Sequence, residues 1–333
     1  MKLKRTIAAA VACCSLSLLP AHLFADELVL PSEVAAGHWK TRYMKEFAEA
    51  VGNGTDGEID VKIFPAGQLY NDQDALAALG TGAVHMVWPV SVRVESIDPR
   101  VGVINLPFAL DAERMANQCY AKGVTELLSS YVEPRQLKIL GLLRTADLFF
   151  IFADRNVQTL EDLKGSKIRV TGGKVFLDTI RSVNASPVSM AASEMSTALG
   201  QGAIDGVFTS AAGWAEMIGS TGKYAYHVPN LSMSTYAVVV DKGWFDGLPE
   251  QQQTAINQAL EEIVPRQWQE VAVEDQALID KMVAGGAEFN TASADDIQKW
   301  RQLSAANIER FAEAYPDVQP KMNELAQRCG NGD

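Results

Sequence analysis

The sequence predicts an α/β protein of two doubly wound α/β lobes, joined by hinge strands and followed by a long helix. Three observations predict it. Short strand-like runs alternate with helical patterns between residues 27 and 240, the order that builds sheets covered by helices. That alternation occurs twice, with crossings near residues 147 and 235. From Pro249 the pattern then stays helical to about Val283.

The elements follow in order. Residues 1–25 read as an export signal: Lys2, Lys4 and Arg5 lead an apolar core, and Ala25 is a small residue before the cut. Residues 27–30 form a strand that stops at Pro31. Trp39, Tyr43, Phe47 and Val51 share one helix face, and Asn53-Gly54 ends that helix. Residues 59–64 alternate as a strand, 72–79 form a helix closed by Gly80, and 83–88 form a third strand. This βαβαβ order implies parallel pairing. Two helices are predicted over 111–120 and 124–131, then strands over 137–142 and 148–153. Segments 160–163, 168–170, 175–183 and 193–200 continue the alternation, and 204–208, 224–227 and 236–240 are strands. Pro265 should kink or split the long helix. Gly285-Gly286 closes it, 288–290 is a last strand, and Ser293 caps a helix to about Tyr315. The expected division is 1–25 signal peptide, 26–147 plus 236–277 first lobe, and 148–235 plus 278–325 second lobe.

Composition narrows the function. The formal charge is −12, and removing Lys2, Lys4 and Arg5 with the signal takes it to −15, which repels phosphate backbones and argues against nucleic acid. Two cysteines remain after the signal, Cys119 and Cys329, and an even pair in an exported chain suggests one disulfide. His38, His85 and His227 have no metal-ligand spacing, and no cofactor is expected. There is no GxGxxG, GxxxxGK[ST] or GxSxG, so nucleotide binding and a serine-hydrolase elbow have no support.

Arg169 is the main candidate. The run from Asp162 to Val170 reads as a helix end, a glycine turn at Gly165 and a strand that delivers Arg169 to its carboxyl end. Ligands of open α/β sheets bind outside that end. A guanidinium matches a carboxylate as a two-pronged fork. The competing reading is a surface arginine in an ordinary ion pair. Gly172-Gly173 could present amides to an anion or form a plain turn, with Thr171 and Lys174 beside them.

Several segments together resemble a known family. Phe64-Pro65-Ala66-Gly67-Gln68-Leu69, Asn105-Leu106-Pro107-Phe108, Glu161-Asp162-Leu163-Lys164-Gly165 with Lys167-Ile168-Arg169-Val170, Ala203-Ile204-Asp205-Gly206 and Trp244-Phe245-Asp246-Gly247-Leu248-Pro249 stand in the order found in DctP-type solute receptors of tripartite ATP-independent periplasmic (TRAP) transporters. The resemblance implies two α/β lobes spanned by a long helix, an organic-acid ligand held by Arg169, and a sodium-driven membrane permease as partner. It implies a binding protein rather than an enzyme. The alternatives are an exported enzyme acting on a small carboxylate and a receptor for another transporter type.

The chain departs from the family pattern in two places. Leu148-Phe149-Phe150-Ile151 lacks the second arginine many members carry there, leaving Arg144 as the substitute. Phe208 and Thr209 stand where glutamate and asparagine are usual. Both changes favour a monocarboxylate with an apolar or aromatic body. Trp214 and Phe208 are the first expected wall residues, with Trp88 and Ser91 from the other lobe and Trp39, Phe149 and Phe176 near strand ends. For each aromatic, core packing is the competing reading.

Overall fold

The computed structural model describes residues 26–330. The assigned export signal lies outside them. The first lobe opens with β1 (Asp26–Pro31), α1 (Trp39–Gly54), β2 (Ile59–Phe64), α2 (Asp72–Ala78) and a short β3 (Met86–Val87). Two 3-10 segments, Ser91–Ser96 and Pro99–Asn105, lead to α3 (Ala112–Ala116) and α4 (Gln118–Val132). The chain then enters β4 (Leu137–Asp147) and, one residue later, β5 (Phe149–Phe152). The second lobe continues through β6 (Lys167–Val170), α5 (Lys174–Ser182), β7 (Ser186–Ser189), α6 (Met195–Gly200), β8 (Gly206–Thr209) and β9 (Tyr224–His227). Next come β10 (Met233–Asp241), α7 (Lys242–Gly247), α8 (Glu250–Ala284), β11 (Glu288–Thr291), α9 (Ala294–Ala314) and α10 (Val318–Gly330).

The first lobe is built on β1 paired in parallel with β2 and on β10 lying antiparallel between β3 and β4. His85 stitches the two groups together. Its main-chain N–H donates to Val29 O and its Nδ1 accepts from Val29 N. The second lobe is one six-stranded sheet in the order β11-β9-β5-β8-β6-β7. The expected parallel pairing holds for β1 with β2, whereas β3-β10-β4 is antiparallel and the six-stranded sheet is mixed. The physical reason is the crossing itself. β4 and β10 run in opposite directions, one leaving the first lobe and the other returning to it. β5, the continuation of β4, pairs antiparallel with both β8 and β9.

Other differences are local. The strand expected over 83–88 joins a sheet only at Met86–Val87, with Val84 in an isolated bridge to Leu79, and β4 runs five residues past its expected end. The break between the two middle helices falls at Asn117, whose side chain caps α4 by accepting from Tyr120 N. β7 contains Pro187 and was not foreseen; Pro187 sits in an edge strand, where a missing donor is tolerated. α8 is not split at Pro265; it runs 35 residues, packed on α1 and β4 in the first lobe and on β11 in the second. Tertiary packing on both ends offsets the cost of one lost helical bond.

α8 also closes the outer edge of β4. Gln267 Oε1 accepts from Arg144 N, Gln267 Nε2 donates to Arg144 O, and Trp268 Nε1 donates to Leu142 O. An edge strand whose backbone groups are satisfied by a helix is no longer a template for another chain.

Cys119 in α4 and Cys329 in α10 form the disulfide, with Cα atoms 5.6 Å apart. Asn117 Nδ2 donates to Cys329 O beside it. Met322 and Leu325 bury the inner face of α10. The bridge closes a loop spanning 210 positions of chain, so reduction or Cys329→Ser should lower the unfolding free energy by about 2–5 kcal/mol. Denaturant midpoints measured with and without reductant check this; equal midpoints would show that the bridge adds nothing.

Candidate ligand site

A cavity of about 40 Å³ lies where the two lobes meet. Val34 and Val90 of the first lobe face Phe176, Met195, Phe208 and Met217 of the second across it. Its polar side chains include Arg169, Thr145, Thr171, Thr209, Ser234 and Tyr236. The walls are apolar with a few converging polar groups, the usual character of a small-molecule site.

Arg169 reaches this cavity because β6 alternates. Ile168 and Val170 are buried in the large core, and Arg169 points to the opposite side between β8 and β7. Its residue is 2% exposed. Nε and Nη2 both donate to Met190 O, at 3.1 and 2.9 Å, which fixes the plane of the guanidinium. Among the described residues no carboxylate pairs with it. Burial pulls its pKa down to about 10, with Arg93 adding to the effect and Glu33 opposing it. At neutral pH it remains a cation.

Glu33 is the nearest competitor for that charge, and other groups occupy it. Its carboxylate lies 3.6 Å from Arg93 and accepts from Asp72 N and Ala192 N. Asp72 pairs at 3.4 Å with buried Lys40, whose ammonium sits 4.4 Å from the Tyr236 ring centre. This stack holds Tyr236 at the cavity, where burial raises its pKa well above the usual phenol value and keeps the hydroxyl protonated. His38 also borders the cavity. Its Nδ1 accepts from Lys40 N, and burial lowers its pKa to about 3, so the ring is neutral.

The structure brings Arg169, Phe208, Thr209 and Phe176 to the cavity. Phe208 is wedged between Phe150 and Phe176, ring centroids 4.7 and 5.6 Å away. It does not bring the other expected residues there. Trp214 lies in the π-helical turn Gly213–Ile218, whose wider spacing puts Gly213 and Met217 on the cavity and turns the indole away. Trp214 Nε1 donates to Gly222 O, and the ring packs on Phe149 and Phe289. Phe149 is on the same far face of β5. Trp88 packs on Phe47 in the first-lobe core, and Ser91 Oγ donates to Asn105 Oδ1. Trp39 is one layer out, edge-on to Tyr236. Arg144 does not replace the missing second arginine, because its Nη1 is paired with Asp275 of α8. Sequence reasoning missed Thr145, Ser234, Tyr236, His38 and the two methionines. None carries a motif: strand register places Thr145, Ser234 and Tyr236, while His38 caps α1, Met195 opens α6 and Met217 lies in the π-helical turn.

Gly172-Gly173 is a turn rather than an anion cradle. Gly173 has φ +77°, and a Cβ there would sit 2.2 Å from Val92 Cγ2 and 2.6 Å from Val92 O, so only glycine permits the contact. The N-terminus of α5 behind it is already occupied. Glu95, from the segment Ser91–Ser96 of the other lobe, accepts from Val175 N at 3.2 Å. Among the described residues, no group of three or more His, Cys, Asp or Glu side chains gathers in a way that could hold a metal ion.

Two α/β lobes that meet at a small cavity form a fold of the periplasmic-binding type. The sequence profile of DctP, bacterial extracellular solute-binding protein family 7, matches residues 31–314, so the chain belongs to that family, the solute receptors of TRAP transporters. It is 27% identical to the C4-dicarboxylate-binding periplasmic protein DctP of Rhodobacter capsulatus, over 99% of this chain and 96% of that one. Its fold is similar to a TRAP periplasmic solute-binding protein of Sulfitobacter sp. NAS-14.1 with bound β-D-galacturonate (22% identity, TM-score 0.81, 91% of this chain and 100% of that chain). It is also similar to one of Shewanella oneidensis with bound succinate (24% identity, TM-score 0.81, 91% and 99%). No helix among the described residues is long and apolar enough to cross a membrane.

Burial pushes the Glu95 carboxyl up to about 7. The folded protein holds a proton there that the unfolded chain releases at the ordinary carboxylate pKa. This contribution to stability is full below that pKa and is lost as pH rises through about 7. Between about pH 5 and 8 the unfolding free energy of the wild type should therefore fall more steeply than that of Glu95→Gln. Denaturant titrations at several pH values test this, and parallel curves would contradict it.

Proposed function

We propose that this protein captures a small organic acid between its lobes, holds the carboxylate on Arg169 and delivers it to a sodium-driven membrane permease. The observation that carries this reading is the guanidinium itself. It is buried, oriented by Met190 O, and lacks a carboxylate partner among the described residues. Burying a charge unpaired is costly, and an anionic ligand offsets that cost.

The ligand proposed is a monocarboxylate with an apolar body. Phe176, Phe208, Met195 and Met217 supply apolar wall, and Arg144, the candidate second cation, is committed to Asp275. The similar proteins are named for a C4-dicarboxylate or hold β-D-galacturonate or succinate, which bring more polar groups than these four apolar side chains would pair. We place the working protein in the periplasm, after removal of residues 1–25. We divide it near residues 147 and 235 into the lobes 26–147 plus 236–277 and 148–235 plus 278–325. Capture rather than catalysis is supported by the side chains that could act as a base or nucleophile. The neutral His38 ring already accepts from Lys40 N, and Ser210 Oγ accepts from Gly213 N.

Arg169→Ala should weaken carboxylate binding by about 2–5 kcal/mol, because the pair is desolvated. Arg169→Lys should also bind poorly, since an ammonium cannot present two parallel donors. Calorimetry on acids found by thermal shift checks both. Unchanged affinity in Arg169→Ala would remove Arg169 from the site.

A further inference from the structure

The crossing strands carry an irregularity beside the cavity. In the β4–β10 ladder Ser234 pairs with Ala146 and Thr235 pairs with Arg144, so Thr145 has no partner across the sheet. This is a β-bulge, a device that re-aims a side chain at the cost of one ladder position. α8 supports it from outside, where Gln267 takes both the N–H and the C=O of Arg144. The result is that Thr145 and Ser234 both border the cavity that holds Arg169. Both are buried, and neither Thr145 Oγ1 nor Ser234 Oγ has a hydrogen-bond partner among the described residues. Thr171, from the loop after β6, adds a third such hydroxyl to the same cavity.

A buried hydroxyl left unpaired costs free energy, and three around one small cavity mark a place where a ligand supplies the partners. The cavity has room for only a few water-sized spheres, so any group reaching these hydroxyls lies close to the carboxylate on Arg169. We propose that Thr145 and Ser234, delivered by the hinge bulge, read a neutral oxygen next to the ligand carboxylate, which makes the ligand a small 2-hydroxy or 2-oxo monocarboxylate. Hydroxyls both donate and accept, so they suit a ligand hydroxyl and a ligand carbonyl alike. The proposal rests on the reading of Arg169 as the carboxylate anchor and extends it to the rest of the ligand.

The test uses matched acids on the mature full chain: L-lactate, pyruvate and propionate, then 2-hydroxybutyrate, 2-oxobutyrate and butyrate. In each set the hydroxy or oxo acid should bind more tightly than the plain acid by roughly tenfold or more, because the plain acid leaves buried hydroxyls unpaired. Thr145→Val and Ser234→Ala should each weaken the hydroxy or oxo acid by about three- to tenfold and leave the plain acid unchanged. Thr235→Val is the control. Its hydroxyl is also buried and unpartnered but does not border the cavity, so this variant should change neither acid. Equal binding within a matched set, or equal loss for both acids in the variants, overturns the assignment of the hydroxyls while leaving Arg169 as anchor. Binding by hexuronates or C4-dicarboxylates alone overturns the small-acid assignment. Binding by no carboxylate overturns the anchor as well.

Discussion

The arrangement depends on one buried positive charge. A guanidinium removed from water is stable only where its donors and its charge find compensation. Met190 O takes two of the Arg169 N–H groups, and the rest of the fork faces the cavity. The neighbouring acids do not neutralise it. Glu33 is held by Arg93 and by main-chain donors, and Asp72 by Lys40. Each of those pairs fixes a side chain that would otherwise compete with an incoming acid. The buried charge network thus leaves Arg169 without a carboxylate partner among the described residues.

The same geometry links the site to the junction of the lobes. Glu33 of the first lobe accepts from Ala192 N of the second, and Glu95 does the same for Val175 N. Gly173 lets the start of α5 lie directly on Val92. Glu33 and Ala192 line the cavity, and parting the lobes would break all three contacts together. Thr145 and Ser234 sit on the two strands that run through the junction, beside the bulge that α8 supports. The cavity lining and the strands that cross between the lobes therefore share the same few residues.

Much of the fold was legible along the chain. The bounds of α1, β2, β9 and α9 follow from helical spacing, strict alternation and capping residues such as Ser293, whose side chain accepts from Asp296 N. Arg169 was legible because its strand is short, flanked by a glycine turn and part of an ordered set of motifs. Trp214 and Trp88 were misplaced because an aromatic residue near a strand end reads the same whether it faces a ligand or a core. Their direction is set by a π-helical turn and by packing on Phe47. α10 escaped notice because its apolar residues are few, and its stability comes from packing on α4 and from Cys329.

Local physics in the chain determined the two-lobe α/β plan, the strand that carries Arg169 and the pairing of Cys119 with Cys329. Periodicity, turn chemistry and cysteine count each act over a few residues or by simple inventory. The tertiary structure alone decided which side chains share the cavity with that arginine. Thr145, Ser234 and Tyr236 come from strands separated by about ninety positions, and a one-residue shift in register would turn them away. Long-range pairing, in which α8 fastens the bulged strand through Gln267 and Asp275, sets that register, and no short window of sequence contains it.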